Sequence, residues 1–249
     1  MPVLNQPIRA LPETQQDHWY NAPQYRADDA WFGVVPERTA VVLIDLIDWQ
    51  VAPDGPSIQS IRQHSAKRAD YIVERCERVV LPNVARLVAA ARNTKIQIVH
   101  ARLASRHPAF CDIVPALRPF VRAADARDGS PACAPIPEVC ATAADLSIVK
   151  TGSGAFAGSD LDFILKRLGI DTLIYAGVVT NACVMLSVAS GFDLGYRQYL
   201  ATDCTGALCD EDQADAERLM GFYLAQLVTT DDTITALDRL RTAPRSPGE

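Results

Sequence analysis

Short apolar runs that end at a polar residue recur along the chain. Residues 40–44 read Ala-Val-Val-Leu-Ile and stop at Asp45, and residues 147–149 lead in the same way to Lys150. Continuous apolar runs of this length are typical of parallel strands that are buried on both faces. Similar runs predict further strands over residues 96–100, 172–176 and 198–201.

Between these runs, apolar residues recur with the spacing of an amphipathic helix. This spacing predicts helices over residues 68–93, 160–168, 182–194 and 211–226. Because the predicted strands and helices alternate, we expect an α/β fold: a doubly wound, mostly parallel sheet with helices on both faces.

Two segments depart from this alternation. Residues 1–38 are rich in Pro, Gln and aromatic residues without a sustained period. We interpret them as an N-terminal extension that wraps over the domain or a neighbouring subunit. Residues 101–146 are rich in Pro, Arg and Ala, which is typical of an insertion with loops and short helices. One domain is expected over residues 39–249.

Composition excludes several classes of partner. The 249 residues are 49% hydrophobic and carry a formal net charge of -6 without a basic stripe, so nucleic acid is not an expected partner. We see no signal peptide and no apolar window of bilayer length, so we expect a cytoplasmic protein without membrane contact. Seven cysteines, an odd number without CxxC spacing, indicate reduced thiols rather than a disulfide framework or structural zinc.

Three residues that can carry chemistry lie where predicted strands end. Asp45 and Lys150 each follow an apolar run, and Cys183 lies where residues 177–184 turn from strand to helix. A helix N-terminus and a nearby ammonium both favour the thiolate, so we expect Cys183 to be acidic. A carboxylate can take the thiol proton and return it to a leaving amine. We predict a catalytic triad of these residues.

Longer motifs around the three residues resemble a known family. Residues 42–45 (Val-Leu-Ile-Asp), Lys150 with residues 154–156 (Gly-Ala-Phe), and residues 177–184 (Gly-Val-Val-Thr-Asn-Ala-Cys-Val) together resemble the isochorismatase-like cysteine hydrolases. The resemblance covers roughly residues 39–237 and implies the three-layer α/β/α sandwich of that family. It also implies a homodimer or homotetramer that uses no cofactor.

The resemblance implies an activity and the residues that perform it. Cys183 would attack the carbonyl of a small amide or ureido substrate, Asp45 would act as general base and then acid, and Lys150 would orient the pair. Because isochorismatases proper lack the nucleophilic cysteine, Cys183 indicates the amidase branch, which cleaves C–N bonds other than peptide bonds. N-carbamoyl compounds, biuret-like ureas and simple carboxamides all remain open as substrates.

The resemblance further implies a cis peptide between Val178 and Val179. That bend would direct the backbone N–H groups of Val179 and Cys183 at one point, which would form an oxyanion hole.

The segment after Asp45 departs from the family pattern. The family commonly has Gln-Asn-Asp-Phe where this chain has Ile-Asp-Trp-Gln at residues 47–50, and His64 is the only nearby histidine. Nicotinamidases of the superfamily bind metal close to this point with Asp and His residues. We therefore expect no metal and no nicotinamide substrate, and activity that is insensitive to chelators.

Four further residues are candidates for substrate binding: Trp49, Arg102, Phe156 and Thr180. Arg102 could pair with a substrate carboxylate or form an ordinary ion pair, and the two aromatic rings could line a pocket or only pack. His100 and His107 receive a minor role.

Three other interpretations of the chain stay open. It could hydrolyse a different small-molecule bond, it could be a binding protein on the same fold, or it could be a redox thiol protein. The intact triad argues against a binding protein. The absence of a close resolving cysteine, Cys204 being the nearest, argues against a redox role.

Overall fold

A computed structural model describes residues 34–139 and 141–242 of the chain. Within these residues, six strands form one parallel sheet in the order β3-β2-β1-β4-β5-β6. The strands are β1 (Thr39–Ile44), β2 (Gln97–Leu103), β3 (Leu146–Lys150), β4 (Thr172–Val178), β5 (Arg197–Gly206) and β6 (Gln226–Val228). The predicted α/β fold class with a doubly wound parallel sheet is confirmed.

Nine α-helices lie between and after the strands of the described residues. They are α1 (Asp48–Val51), α2 (Pro56–His64), α3 (Ala66–Arg75), α4 (Leu81–Asn93), α5 (Arg118–Ala123), α6 (Leu161–Arg167), α7 (Met185–Asp193), α8 (Asp210–Tyr223) and α9 (Thr230–Thr242). Several shorter 3-10 turns and two π-helical turns complete the described chain.

Successive residues of β1 belong to two different cores, because side chains alternate across a strand. Val41 and Leu43 pack in one apolar cluster with residues of α2, α3, α4 and α9. Val42 and Ile44 pack in a second cluster with residues of α6, α7 and α8. Helices therefore cover both faces of the sheet, which explains why β1 is apolar at consecutive positions.

The insertion after β2 has a small core of its own. Trp49, Leu103, Phe110 and Val121 are buried together in a third cluster beside the sheet. The segment includes α5 and two 3-10 turns, and the remainder is turns and bends. This agrees with the prediction of loops and short helices.

The long helix predicted over residues 68–93 is two α-helices joined by a π-helical turn, Cys76–Val80. In this turn Leu81 N donates to Cys76 O, five residues back. Pro82 explains the irregularity, because its ring cannot donate to the carbonyl four residues earlier and would clash with it.

The order of strands reverses between β1 and β4, whose carboxyl ends open a crevice at that point. The two strands approach closely at Gly177, which pairs with Ile44 and has φ of +126°. A Cβ atom at residue 177 would lie 2.0 Å from Ile44 O, so no other residue fits there without moving a strand. Asp45 and Cys183 follow these same two strands.

No helix in the described part of the chain is long and apolar enough to cross a bilayer. The six described cysteines are free thiols, as expected for this chain. The extension proposed for residues 1–38 lies outside the described residues, except for a short stretch that ends in a 3-10 turn, Pro36–Arg38.

Candidate active site

Asp45 is buried at the end of β1, where its backbone takes a left-handed φ of 54°. Its own N–H donates to Ala101 O at 2.9 Å, and its Oδ1 accepts from Leu103 N at 2.7 Å. Both bonds are to β2, so the neighbouring strand fixes the direction of the carboxylate. The second oxygen, Oδ2, faces Lys150.

The fully buried Lys150 ends β3 and brings the predicted triad together. Its Nζ donates to Gly152 O at 3.2 Å, to Ser153 O at 2.8 Å and to Cys183 Sγ at 3.5 Å. These three bonds match the three protons of an ammonium group. Nζ also lies 2.8 Å from Asp45 Oδ2, an ion pair between two side chains that are both removed from solvent.

Asp45 Oδ2 is buried and faces Lys150 Nζ at 2.8 Å. The Cys183 thiol also interacts with the Asp45 carboxylate. Lys150 and Cys183 are therefore the two described side chains that act on this oxygen.

Cys183 lies in a π-helical turn, Thr180–Val184, that follows β4 and continues into α7. The peptide between Val178 and Val179 is cis, at the bond where the family resemblance places it. The hydroxyl of Thr180 donates to Gln213 Oε1 of α8 at 2.8 Å, which holds the beginning of the turn. The two backbone groups expected to form an oxyanion hole, at Val179 and Cys183, belong to this bend.

The expectation that Cys183 is acidic is wrong for this structure, which contains no substrate. Burial and the charge of Asp45 raise the pKa of Cys183 to about 11, and the opposing effects of Lys150 and Ser153 do not compensate. The pKa of Lys150 is lowered by burial, but the charges of Asp45 and Cys183 outweigh this and leave it raised. Burial and Asp45 thus favour the neutral thiol of Cys183, and the charges of Asp45 and Cys183 favour the charged form of Lys150.

Sequence reasoning missed Ser153, whose hydroxyl lies 3.4 Å from Cys183 Sγ. It also missed Gln213, which accepts from Thr180 Oγ1 and Ala207 N and donates to Thr205 and Glu217. Ser153 carried a usable signal, because it lies in the glycine turn directly after Lys150. Gln213 is on a helix thirty residues from the nucleophile and had no such signal.

The four candidate substrate-binding side chains are engaged inside the protein. Arg102 donates to Ser147 Oγ, Cys133 O and Asp128 Oδ1, and the contact with Asp128 is an ion pair.

The other three candidates are buried. Trp49 is buried, donates to Leu103 O and packs edge-on against Phe120. Phe156 stacks on Tyr196, and the buried Thr180 hydroxyl is used by Gln213.

The two histidines given a minor role are also structural. His100 is buried and bonds to Asp145, which also pairs with Arg92. Burial is the main reason that the pKa of His100 is lowered. The ring of His107 accepts from the backbone of Ala109 in its own loop.

No group of three or more His, Cys, Asp or Glu side chains within residues 34–139 and 141–242 could hold a metal ion.

A family model for the isochorismatase domain matches residues 39–232 of the chain. The chain belongs to the isochorismatase family. The matched region begins at β1 and extends into α9, so it includes all six strands and the three residues of the triad.

Individual relatives are more distant. YwoC, an uncharacterized isochorismatase family protein of Bacillus subtilis, is 34% identical over 97 residues, which cover 39% of this chain and 51% of the relative. The chain thus spans about half the length of this curated relative. Maleamate amidohydrolase of Pseudomonas putida is 28% identical over 169 residues, which cover 68% of this chain and 72% of the relative.

A solved structure shares the fold. The crystal structure of a cysteine hydrolase from Pseudomonas syringae pv. phaseolicola superimposes with a TM-score of 0.71 at 19% identity. The match covers 82% of this chain and 94% of that chain. At this identity the likeness shows the fold alone.

Proposed function

We propose that this isochorismatase-family protein is a cysteine hydrolase that cleaves the C–N bond of a small amide or ureido substrate. The observation that carries the proposal is the buried trio in which Lys150 Nζ contacts both Cys183 Sγ, at 3.5 Å, and Asp45 Oδ2, at 2.8 Å. Nucleophile, proton acceptor and fixed positive charge are thus within one small, dry volume.

The reaction begins with a proton transfer. Asp45 Oδ2 takes the proton of the Cys183 thiol, and Sγ attacks the substrate carbonyl carbon. The net charge of the trio is unchanged by the transfer, because Asp45 becomes neutral as the sulfur becomes anionic. This matters in a buried site, where creating an uncompensated charge would cost several kcal/mol. The oxyanion that forms is stabilised by the backbone N–H groups of Val179 and Cys183.

The intermediate then collapses to a thioester. The C–N bond breaks, and the protonated Asp45 gives its proton to the leaving nitrogen, which departs as ammonia or an amine. Asp45, again a carboxylate, next removes a proton from a water molecule that attacks the thioester carbonyl. The acid product leaves, and the proton returns to Cys183.

Relatives support amides as the substrate class. One relative is named maleamate amidohydrolase, and its match covers 68% of this chain. That name supports hydrolysis of a carboxamide with release of ammonia. Simple carboxamides, N-carbamoyl compounds and biuret-like ureas are therefore the panel to test first.

The test compares ammonia release from this panel by the parent, Cys183→Ala and Cys209→Ser, with mass spectrometry of the quenched protein. We expect turnover by the parent and by Cys209→Ser, and an acyl adduct on Cys183. Cys183→Ala should fall to the background rate because the nucleophile is lost. Turnover by Cys183→Ala near the parental rate would exclude the covalent mechanism. Binding of the panel without turnover by any variant would favour a non-catalytic binding protein.

We also propose a homodimer or homotetramer in a reducing, cytoplasmic compartment. The six described free thiols support a reducing compartment. Exposed apolar side chains on α7 and α8, among them Leu186, Leu219 and Tyr223, support self-association. Light scattering coupled to size-exclusion chromatography tests the oligomer, and a monomeric mass at working concentration would exclude it.

A further inference from the structure

The sulfur of Cys183 has a second polar neighbour besides Lys150. Ser153 Oγ lies 3.4 Å from Sγ, a distance that matches the 3.5 Å from Lys150 Nζ to the same atom. Ser153 is half-buried and lies in the turn that follows β3, 30 residues before Cys183 in the sequence. The proposed function assigns this hydroxyl no role.

The turn that carries Ser153 is tied to the nucleophile by several bonds. Ser153 O accepts from Lys150 Nζ at 2.8 Å. Two residues later, Ala155 N donates to Ser187 Oγ at 2.9 Å, and Ser187 Oγ donates in turn to Cys183 O at 2.6 Å. The distance between Ser153 Oγ and Sγ is therefore set by the framework of the site and not by a free surface loop.

The direction of the hydrogen bond follows from the other neighbours of the sulfur. In the proposed mechanism the thiol proton goes to Asp45, whose carboxylate interacts with Cys183. Once that proton has left, the sulfur is an anion that can only accept. Lys150 Nζ and the Ser153 hydroxyl are then both donors to it, and Asp45, which has taken the proton, is neutral.

We propose that the Ser153 hydroxyl is a catalytic donor that hydrogen-bonds the anionic sulfur of Cys183 and stabilises it during attack on the substrate. The inference rests on the proposed cysteine mechanism. It adds a fourth residue to the triad and gives the half-buried turn after β3 a chemical role. The effect of this bond on the pKa of Cys183 is downward, opposite to the larger effects of burial and Asp45.

The experiment follows the rate of Cys183 alkylation by iodoacetamide against pH, read by peptide mass spectrometry. It compares the parent with Ser153→Ala, Ser153→Thr and the control Ser190→Ala. The Ser190 hydroxyl donates to Leu186 O in its own helix and does not contact the sulfur. Thermal unfolding of each variant checks that the fold is retained.

In Ser153→Ala we expect the profile to move to higher pH and alkylation near neutral pH to slow by about three- to tenfold. One pKa unit is a tenfold change in thiolate, and the higher nucleophilicity of a less acidic thiol offsets part of it. Ser153→Thr should restore the parental profile because it keeps the hydroxyl, and Ser190→Ala should leave it unchanged. Ammonia release should fall in Ser153→Ala in parallel with alkylation.

An unmoved or lowered profile in Ser153→Ala would overturn the inference. So would an equal shift in Ser153→Thr, because packing of the turn and not the hydroxyl would then be responsible. Cys183→Ala separates this result from failure of the proposed function. If Cys183→Ala keeps parental turnover, the cysteine mechanism itself is wrong. If it loses turnover while Ser153→Ala behaves as the parent, the role of Ser153 alone is wrong.

Discussion

At the scale of single residues, burial and two neighbouring charges act on the pKa of the Cys183 thiol. Burial raises this pKa most, Asp45 raises it further, and Lys150 lowers it. In the proposed mechanism the thiol keeps its proton until a substrate carbonyl is near and the proton can move to Asp45. A protonated resting thiol is also less prone to oxidation and to reaction with other electrophiles, since the thiolate is the reactive form.

Asp45→Asn should change turnover and alkylation in opposite directions. Turnover should fall by about 10²-fold to 10⁴-fold, the range for loss of a positioned acid–base group. Alkylation of Cys183 by iodoacetamide at a fixed pH should become faster, because the carboxylate charge that raises the thiol pKa is gone. Ammonia release and peptide mass spectrometry measure the two rates.

Asp48→Asn is the matched control, since Asp48 is an exposed acid three residues further along. It should leave both rates close to the parental values. Slower alkylation in Asp45→Asn, or turnover near that of the parent, would show that Asp45 is not the proton acceptor of the thiol.

Lys150→Met should slow alkylation of Cys183 and also weaken the fold. Loss of the ammonium removes the charge that lowers the thiol pKa, and it leaves Asp45 as a buried charge without its partner. Breaking a buried ion pair from one side typically costs about 3–5 kcal/mol in the free energy of unfolding. Urea unfolding of Lys150→Met and of the double variant with Asp45→Asn measures this cost.

The double variant should be more stable than Lys150→Met alone, because no uncompensated charge remains. Equal unfolding free energies for the parent and Lys150→Met would mean that the ion pair contributes nothing to the fold.

At the scale of elements, the nucleophile depends on how α8 holds the π-helical turn of Cys183. Gln213, near the beginning of α8, connects that turn to the end of β5 through Thr180, Ala207 and Thr205. All of these groups are buried apart from the solvent-side partner Glu217. The position of Cys183 is thus set partly by a helix that carries no catalytic residue.

Gln213→Leu should lower both stability and turnover. Each buried polar group left without a partner costs about 1–3 kcal/mol, and Thr180 Oγ1 and Ala207 N both lose theirs. Urea unfolding measures the loss in stability, and ammonia release measures the loss in turnover.

Gln226→Leu on β6 is the matched control for this substitution. Gln226 Oε1 is buried and has no hydrogen-bond partner among the described residues, so its removal should cost little. If both variants lose the same unfolding free energy, the Gln213 network does not hold the turn.

The elements that could be predicted from sequence are those whose signal is local. The apolar runs of β1, β3 and β4 are contiguous, and together with the family motifs around them they were enough to place Asp45, Lys150 and Cys183. The short α1, α2 and β6 and the final helix α9 were not predicted, because they have few residues or mixed polarity. The helix predicted over residues 68–93 did not include the π-helical turn at Cys76–Val80, which only the structure shows.

The sign of the Cys183 pKa shift and the role of Arg102 needed distances that a sequence does not contain. Proximity to a helix N-terminus and a lysine suggested a lowered pKa, yet the depth of burial and the separation from Asp45 decide the outcome. Arg102 could reach either a substrate or Asp128, and the fold of the insertion after β2 determines that it pairs with Asp128. Neither result depends on residues that are adjacent in sequence.

At the scale of the whole molecule, buried thiols should make the fold less stable at alkaline pH. Burial raises the pKa of Cys76 to about 12 and, with Asp45, that of Cys183 to about 11, and burial also raises the pKa of Cys204. These thiols lie at a helix junction, in the candidate active site and in β5. Their ionisation should therefore affect the stability of the whole fold and not of one element.

We expect the free energy of unfolding to be constant up to about pH 8 and to fall steadily above about pH 9. Each of these thiols has a higher pKa in the folded chain than in the unfolded one, so the unfolded chain loses its protons first as the pH rises. The resulting loss is about 1.4 kcal/mol per pH unit for each thiol that is ionised only when unfolded.

Urea unfolding at several values between about pH 7.5 and 9.5, below the ordinary tyrosine pKa of about 10, measures how steeply the free energy of unfolding falls with pH. Cys76→Ala should make the slope shallower, whereas Cys111→Ser, which changes an exposed side chain, should leave it unchanged. A free energy of unfolding that stays level across this range in the parent would mean that the buried thiols ionise as easily in the fold as in the unfolded chain.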